Sequence, residues 1–66
     1  KWITYESDES GNKDIYIMKV DGSSKIQLTT NQSLDTSPIW GDDGYIYFKS
    51  NRGLLWGIWR LKALIK

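Results

Sequence analysis

Six short segments rich in β-branched and aromatic residues, separated by Gly, Pro, Asn, Asp and Ser, predict an all-β antiparallel fold for this 66-residue chain. An internal repeat then sets the architecture. Shifted by 43 residues, the first two segments overlay the last two without a gap. A period of roughly 40–45 residues with four strands per repeat is the spacing of propeller blades. One repeat cannot bury both faces of its sheet, so repeats must stack. The expected fold is therefore about one and a half blades of a β-propeller, occupying the whole chain.

Trp2–Ser7 (WITYES) is the first strand, with Ile3 and Tyr5 pointing one way and Trp2 and Thr4 the other. Asp14–Val20 (DIYIMKV) is the second, closed by the turn signal Asp21-Gly22. Lys25–Thr29 (KIQLT) alternates polar and apolar residues, as a strand with one wet face does. Ser37–Trp40 (SPIW) carries a proline near its start, which suits an edge strand or a first strand position. Tyr45–Ser50 (YIYFKS) follows the turn Gly41-Asp42-Asp43-Gly44, and Gly57–Lys62 (GIWRLK) is the last, with Ala63–Lys66 extending it or fraying.

A helix competes for Leu54–Lys66, because Leu54, Leu55, Ile58, Leu61 and Ile65 fit a helical stripe. Gly57 opposes it at a cost of about 1 kcal/mol relative to Ala. The repeat opposes it more strongly. Ile3 falls on Ile46, Tyr5 on Phe48, Ser7 on Ser50, Ile15 on Ile58, Tyr16 on Trp59, Met18 on Leu61 and Lys19 on Lys62. Gly57–Lys62 thus overlays a strand. With strands named A to D from the propeller axis outward, residues 1–30 supply B, C and D of one blade, and 36–62 supply A, B and C of the next. Both faces of B and C strands should be largely apolar, and D the most polar.

A chain of this length buries only about 60% of the surface its unfolded form exposes. Small domains usually add disulfides, a metal or a partner. Cysteine and histidine are absent, which removes a disulfide framework and a Cys/His zinc site. Association is the remaining route, so the expected partner is protein: the rest of a propeller, another subunit, or a second copy. Nine Lys+Arg against eight Asp+Glu give a net charge of +1, and the basic residues are scattered apart from Arg60, Lys62 and Lys66. No nucleic acid partner is expected. No run of 18 apolar residues is present, so no membrane span is expected. The opening Lys1-Trp2-Ile3 reads as the middle of a strand pattern, without the features of a signal peptide.

The motifs resemble the TolB-like (WD40-like, PD40-type) β-propeller repeat family. Ser7-Asp8-Glu9-Ser10-Gly11-Asn12-Lys13-Asp14-Ile15-Tyr16 is similar to that family's Ser, charged residue, Gly-Asn, Asp-Ile-Tyr pattern. Asp21-Gly22-Ser23 matches its C–D turn; Leu28-Thr29, Asn31, Ser37-Pro38-Ile39-Trp40 and Asp43-Gly44 match its Leu-Thr…Ser-Pro-x-Trp-Ser-Pro-Asp-Gly stretch. Gly41-Asp42 stands where the family has Ser-Pro, and Gly57 replaces the Asp of Asp-Ile-Tyr in the second copy. The resemblance implies a non-catalytic scaffold and protein-recognition module, periplasmic or secreted. Its alternative within the family is the substrate-gating propeller of a prolyl oligopeptidase- or tricorn-type peptidase. A self-assembling propeller fragment is a third reading.

Catalysis within the chain is not expected, since Ser nucleophiles have no His base and Cys is absent. Asp42-Asp43 sits in a predicted exposed turn, where nothing separates the two pKa values. No cofactor is expected. The acceptors Asp8, Glu9, Asn12 and Asp14 around Gly11 are the one place where calcium is weighed, but the EF-hand spacing and its terminal Glu are missing. Ser7-x-Glu9-x-Gly11 only approaches the Asp-box of sialidase-type propellers. Asp14 is expected to accept backbone N–H bonds in the B–C loop. Asn31-Gln32-Ser33 is a glycosylation sequon, a pattern common by chance. Trp2, Tyr5, Tyr16, Trp40 and Trp59 are expected mostly in the inter-blade core.

Two sets of residues remain as candidate sites. Asp35, Thr36 and Ser37 precede the inner strand and would lie near the central channel, where a small ligand or hydrating water is expected. Leu54, Leu55 and Trp56 form an apolar tip in the second B–C loop, where the first copy is polar. Such patches mark contact surfaces.

Overall fold

The computed structural model describes residues 1–30 and 32–63. Asn31 of the sequon and the continuation of the last strand over 64–66 lie outside the described residues. Two three-stranded antiparallel sheets make up the chain: β1 (Trp2–Ser7), β2 (Asp14–Lys19) and β3 (Ile26–Gln27), then β4 (Asp35–Trp40), β5 (Tyr45–Ser50) and β6 (Gly57–Lys62), each in chain order. The only helical turn among the described residues is a 3-10 turn, Arg52–Leu54. This is the all-β antiparallel fold expected, and it is consistent with a propeller fragment.

The repeat is legible in the hydrogen-bonded ladders. Trp2 faces Lys19 and Ser7 faces Asp14 in the first hairpin; Tyr45 faces Lys62 and Ser50 faces Gly57 in the second. The shift that overlays the two sequences carries one ladder onto the other, pair for pair. Residues 57–62 pair with β5 throughout, which removes the helical alternative over them. Gly22 (φ 88°) and Gly44 (φ 85°) supply the left-handed residues of their turns, as the Asp-Gly pairs require.

Three strand boundaries differ from the expectation. The strand placed at Lys25–Thr29 shrinks to Ile26–Gln27, although the Leu28 N–H still donates to the Ile15 carbonyl at 2.8 Å. It is an outer edge with one neighbour, so little holds its ends. The second strand stops at Lys19, because the Asp21-Gly22 turn begins with the bond from Gly22 N–H to the Lys19 carbonyl. The strand placed at Ser37–Trp40 starts earlier, at Asp35, since Asp35 and Thr36 already pair with Ser50 and Lys49. Its register shifts between Thr36 and Ile39, and Ser37 there has φ 55°. Pro38 therefore sits at a bulge on an edge strand, where a missing N–H costs least.

The core lies between the sheets. Ile15 and Ile17 of β2 pack with Ile46 and Phe48 of β5, flanked by Trp2, Leu28, Trp40, Leu61 and Ala63. Polar contacts close the same seam: the Ser37 N–H donates to Glu6 Oε1 at 2.7 Å, and the Asp35 N–H to the Lys13 carbonyl at 3.0 Å. The expectation that both faces of B and C strands are covered holds for β2 and fails for β6, which is exposed along most of its length. Among the expected core aromatics, Tyr16 is buried and stacks on Tyr5 with centroids 5.6 Å apart. Trp2 and Trp40 are half-buried against the core, whereas Trp59 is exposed.

Candidate functional site

Asp35 takes a different place from the one its sequence position suggests. It is a fully buried strand residue, and its Oδ2 accepts a bond from Arg52 Nη2 at 3.2 Å. Such a partner offsets the hydration a carboxylate loses on burial. Arg52 is held on several sides. Its Nε donates to Ser50 Oγ at 3.0 Å, and the guanidinium lies 4.8 Å from the Trp59 ring centre and 5.4 Å from that of Phe48. Asp35 is thus held in an internal ion pair. Arg52 is absent from the residues expected from sequence; the signal that marks it is a single cation in the loop after the aromatic-rich β5.

That ion pair also sets the tip. Arg52 opens the 3-10 turn that carries Gly53 and Leu54, so its anchoring fixes the chain from which Leu54, Leu55 and Trp56 project. All three are exposed, Leu54 to 95%. Leu54 also adopts φ 75°, a left-handed conformation that a branched apolar residue takes only under strain. The exposed apolar tip expected from sequence is therefore present.

Part of each candidate site meets on one surface. Thr36 and Ser37 of β4, Lys49 of β5, Trp56 of the tip, and Gly57 and Ile58 of β6 line an open groove of about 540 Å³. A neighbouring apolar depression adds Ile39, Tyr47 and Phe48 to Ser37, Lys49 and Ile58. Leu54 and Leu55 do not line the groove, and Asp35 lies in the interior. Lys49 and Ile58 depart from the expectation that both faces of β5 and β6 are covered.

The groove has the chemistry of a contact surface: an indole, an isoleucine, two hydroxyls and an ammonium, with no carboxylate among its lining residues. Arg60 and Lys62 extend its basic character along β6, both resting on the Tyr45 ring at 4.1 and 4.9 Å. At the seam beside it, the Ser37 N–H and, after it, the Lys13 ammonium hold the Glu6 carboxyl below the usual carboxylate range.

The acidic loop is internally engaged. Asp14 accepts from Ser10 Oγ, Gln27 Nε2 and Thr29 Oγ1 at 3.3, 3.0 and 3.2 Å. Its donors are side chains rather than the backbone N–H groups expected; the Ile15 N–H goes instead to Thr29 Oγ1 at 3.0 Å. Asp14 therefore ties the outer segment to β2. Glu9 pairs with Lys25 at 3.1 Å, and Asn12 Nδ2 donates to the Ser33 carbonyl at 2.7 Å. Among the described residues no three Asp or Glu side chains converge to hold a metal ion. Among the same residues no helix is long and apolar enough to cross a membrane.

Comparison with known proteins adds a relationship to a curated protein. No family model and no solved structure matches the chain. Over 42 residues it is 43% identical to the Tol-Pal system protein TolB of Geobacter sulfurreducens, a stretch that is 64% of this chain and 10% of that protein. The chain thus spans about a tenth of that relative's length. Together with the two antiparallel sheets, this short match supports a relationship to the TolB-like β-propellers.

Proposed function

We propose that the chain is a non-catalytic propeller fragment that acts as a scaffold and protein-recognition module, working outside the cytoplasm as TolB-like proteins do. In this reading, residues 1–30 and 36–62 are parts of two successive blades. The observation that carries it is the groove between β4 and β6, capped by an exposed apolar tip. Leu54, Leu55 and Trp56 are the contact residues. The tip is presented by an anchored turn, so little ordering entropy is lost when a partner covers it. Thr36 and Ser37 supply hydroxyls beneath it, and Lys49 supplies a cation.

A photoreactive residue at position 55 identifies what the tip touches in cells making the protein. The captured protein is then purified and titrated against wild type and against Leu54→Ser/Leu55→Ser/Trp56→Ser. Loss of affinity by tenfold or more is expected, since exposed apolar anchors dominate interface energies at about 1.4 kcal/mol per factor of ten. Unchanged affinity rejects the tip as the recognition surface.

A further inference from the structure

Lys49 stands at the centre of a row that crosses the second sheet. It faces Thr36 of β4 on one side and Ile58 of β6 on the other. A hydroxyl, an ammonium and an aliphatic side chain therefore lie in line on one face. The same three residues line the open groove of about 540 Å³, together with Ser37, Trp56 and Gly57. Lys49 is exposed and has no ion-pair partner among the described residues. Its twin in the first hairpin is Glu6, whose carboxylate accepts the Ser37 N–H of β4 at 2.7 Å and pairs with Lys13. The charge at this position is reversed between the copies. The first offers an acceptor and meets a donor, so the second, which offers a donor, calls for an acceptor.

We infer that the groove takes the C-terminal carboxylate of a partner protein whose last residue is large and apolar. The carboxylate meets the Lys49 ammonium and the Thr36 hydroxyl, while the last side chain lies against Ile58 and Trp56. A chain's N-terminal ammonium is disfavoured, because no carboxylate lines the groove to offset its repulsion from Lys49. Directly opposed residues such as Lys49 and Ile58 have Cβ atoms roughly 5 Å apart. A terminal residue, whose carboxylate and side chain branch from one carbon, matches so short a spacing. An Asp or Glu within a strand does not, since its neighbour's side chain points to the opposite face. Trp56, just before β6, walls the groove at the margin of the sheet, where a chain that ends fits better than one that continues. The adjoining depression at Ile39, Tyr47 and Phe48 receives the residues that precede the terminus. This inference rests on the groove being a recognition surface and names what it recognises. Unchanged affinity of the tip variant for its captured partner rejects the tip reading alone, whereas indifference to a terminal carboxylate rejects this inference alone.

Titration of the chain with short peptides, followed through its amide NMR signals, tests it. The probes are acetyl-glycyl-glycyl-leucine with a free carboxylate, its C-terminal amide, and acetyl-glycyl-leucyl-glutamate amide, whose carboxylate is on a side chain. The free acid is expected to shift the Thr36, Lys49 and Ile58 amides saturably and to bind about tenfold more tightly than either other peptide. Lys49→Gln is expected to bind the acid and its amide within about twofold of each other, while Lys49→Arg keeps the preference. Lys49 is exposed, and retained amide dispersion confirms that both variants fold. No saturable response to the free acid overturns the inference. So do equal affinities for acid and amide, equal affinities for terminal and side-chain carboxylates, shifts confined to other residues, or a preference that survives Lys49→Gln.

Discussion

The β1–β2 and β5–β6 hairpins are the same object in different surroundings. Strand lengths, loop length and register agree, yet Ile15 is sealed and Ile58, its twin, is largely in water. β2 has β3 on its outer edge and the second sheet on its face, whereas among the described residues β6 has no outer strand and reaches the seam through Leu61. Their loops diverge as well: Asp8–Lys13 is polar and closes on the acidic cluster, whereas Asn51–Trp56 carries the Arg52 anchor and the apolar tip. A repeated pattern therefore specifies a hairpin, while burial depends on what is placed against it.

The largest effect that sharpens this contrast is expected from Arg52→Ala. It strands the buried Asp35 carboxylate of the second sheet and should cost about 3 kcal/mol or more in denaturant unfolding. The corresponding position of the first copy is Glu9, a surface residue paired with Lys25. Glu9→Ala should cost at most about 1 kcal/mol. Equal losses would show that the second loop is not held by its ion pair.

The twin isoleucines come next. Ile15→Ala should lose about 2–5 kcal/mol through lost burial and a cavity. Ile58→Ala should stay within about 0.5 kcal/mol of wild type. Similar losses at both positions would break the comparison outright.

A smaller change follows from making the first hairpin resemble the second. Asp14→Gly copies Gly57 and removes the acceptor shared by Ser10, Gln27 and Thr29. A loss of about 1–3 kcal/mol is expected, with faster hydrogen exchange at the Ile15 and Leu28 amides while the β1–β2 ladder stays protected.

The smallest effect is on acid stability. Glu6 is held low in the folded chain, so its contribution is present above its unfolded pKa, about 4.3. That contribution is lost as pH falls through the lower folded value. Glu6→Gln should flatten the denaturation midpoint over this acid window. The twin position is Lys49, whose replacement by Gln should leave the acid profile unchanged.

The strands and the repeat were legible because both rest on local information. Alternation and turn residues mark each segment, and a constant loop length preserves the register. The fate of Asp35 was not legible. Its neighbours in sequence read as a loop before an inner strand, and its partner Arg52 lies across β5 in the following turn. The union of Thr36 and Ser37 with Trp56 escaped for the same reason: the groove is assembled from β4 and the end of a later hairpin. Shortening of the third strand to Ile26–Gln27 likewise reflects its having a neighbour on one side only, which its own composition does not encode.

By itself the sequence determined the six strands, their antiparallel pairing within hairpins and the exposed character of the Leu54-Leu55-Trp56 tip. Tertiary structure alone decided which of two equivalent hairpins is covered, which carboxylate enters the core, and which distant residues share a groove. Hairpin pairing is a contact between chain neighbours and follows from short-range pattern. Coverage is a contact between sheets, and a side chain's burial is set by the element that arrives against it.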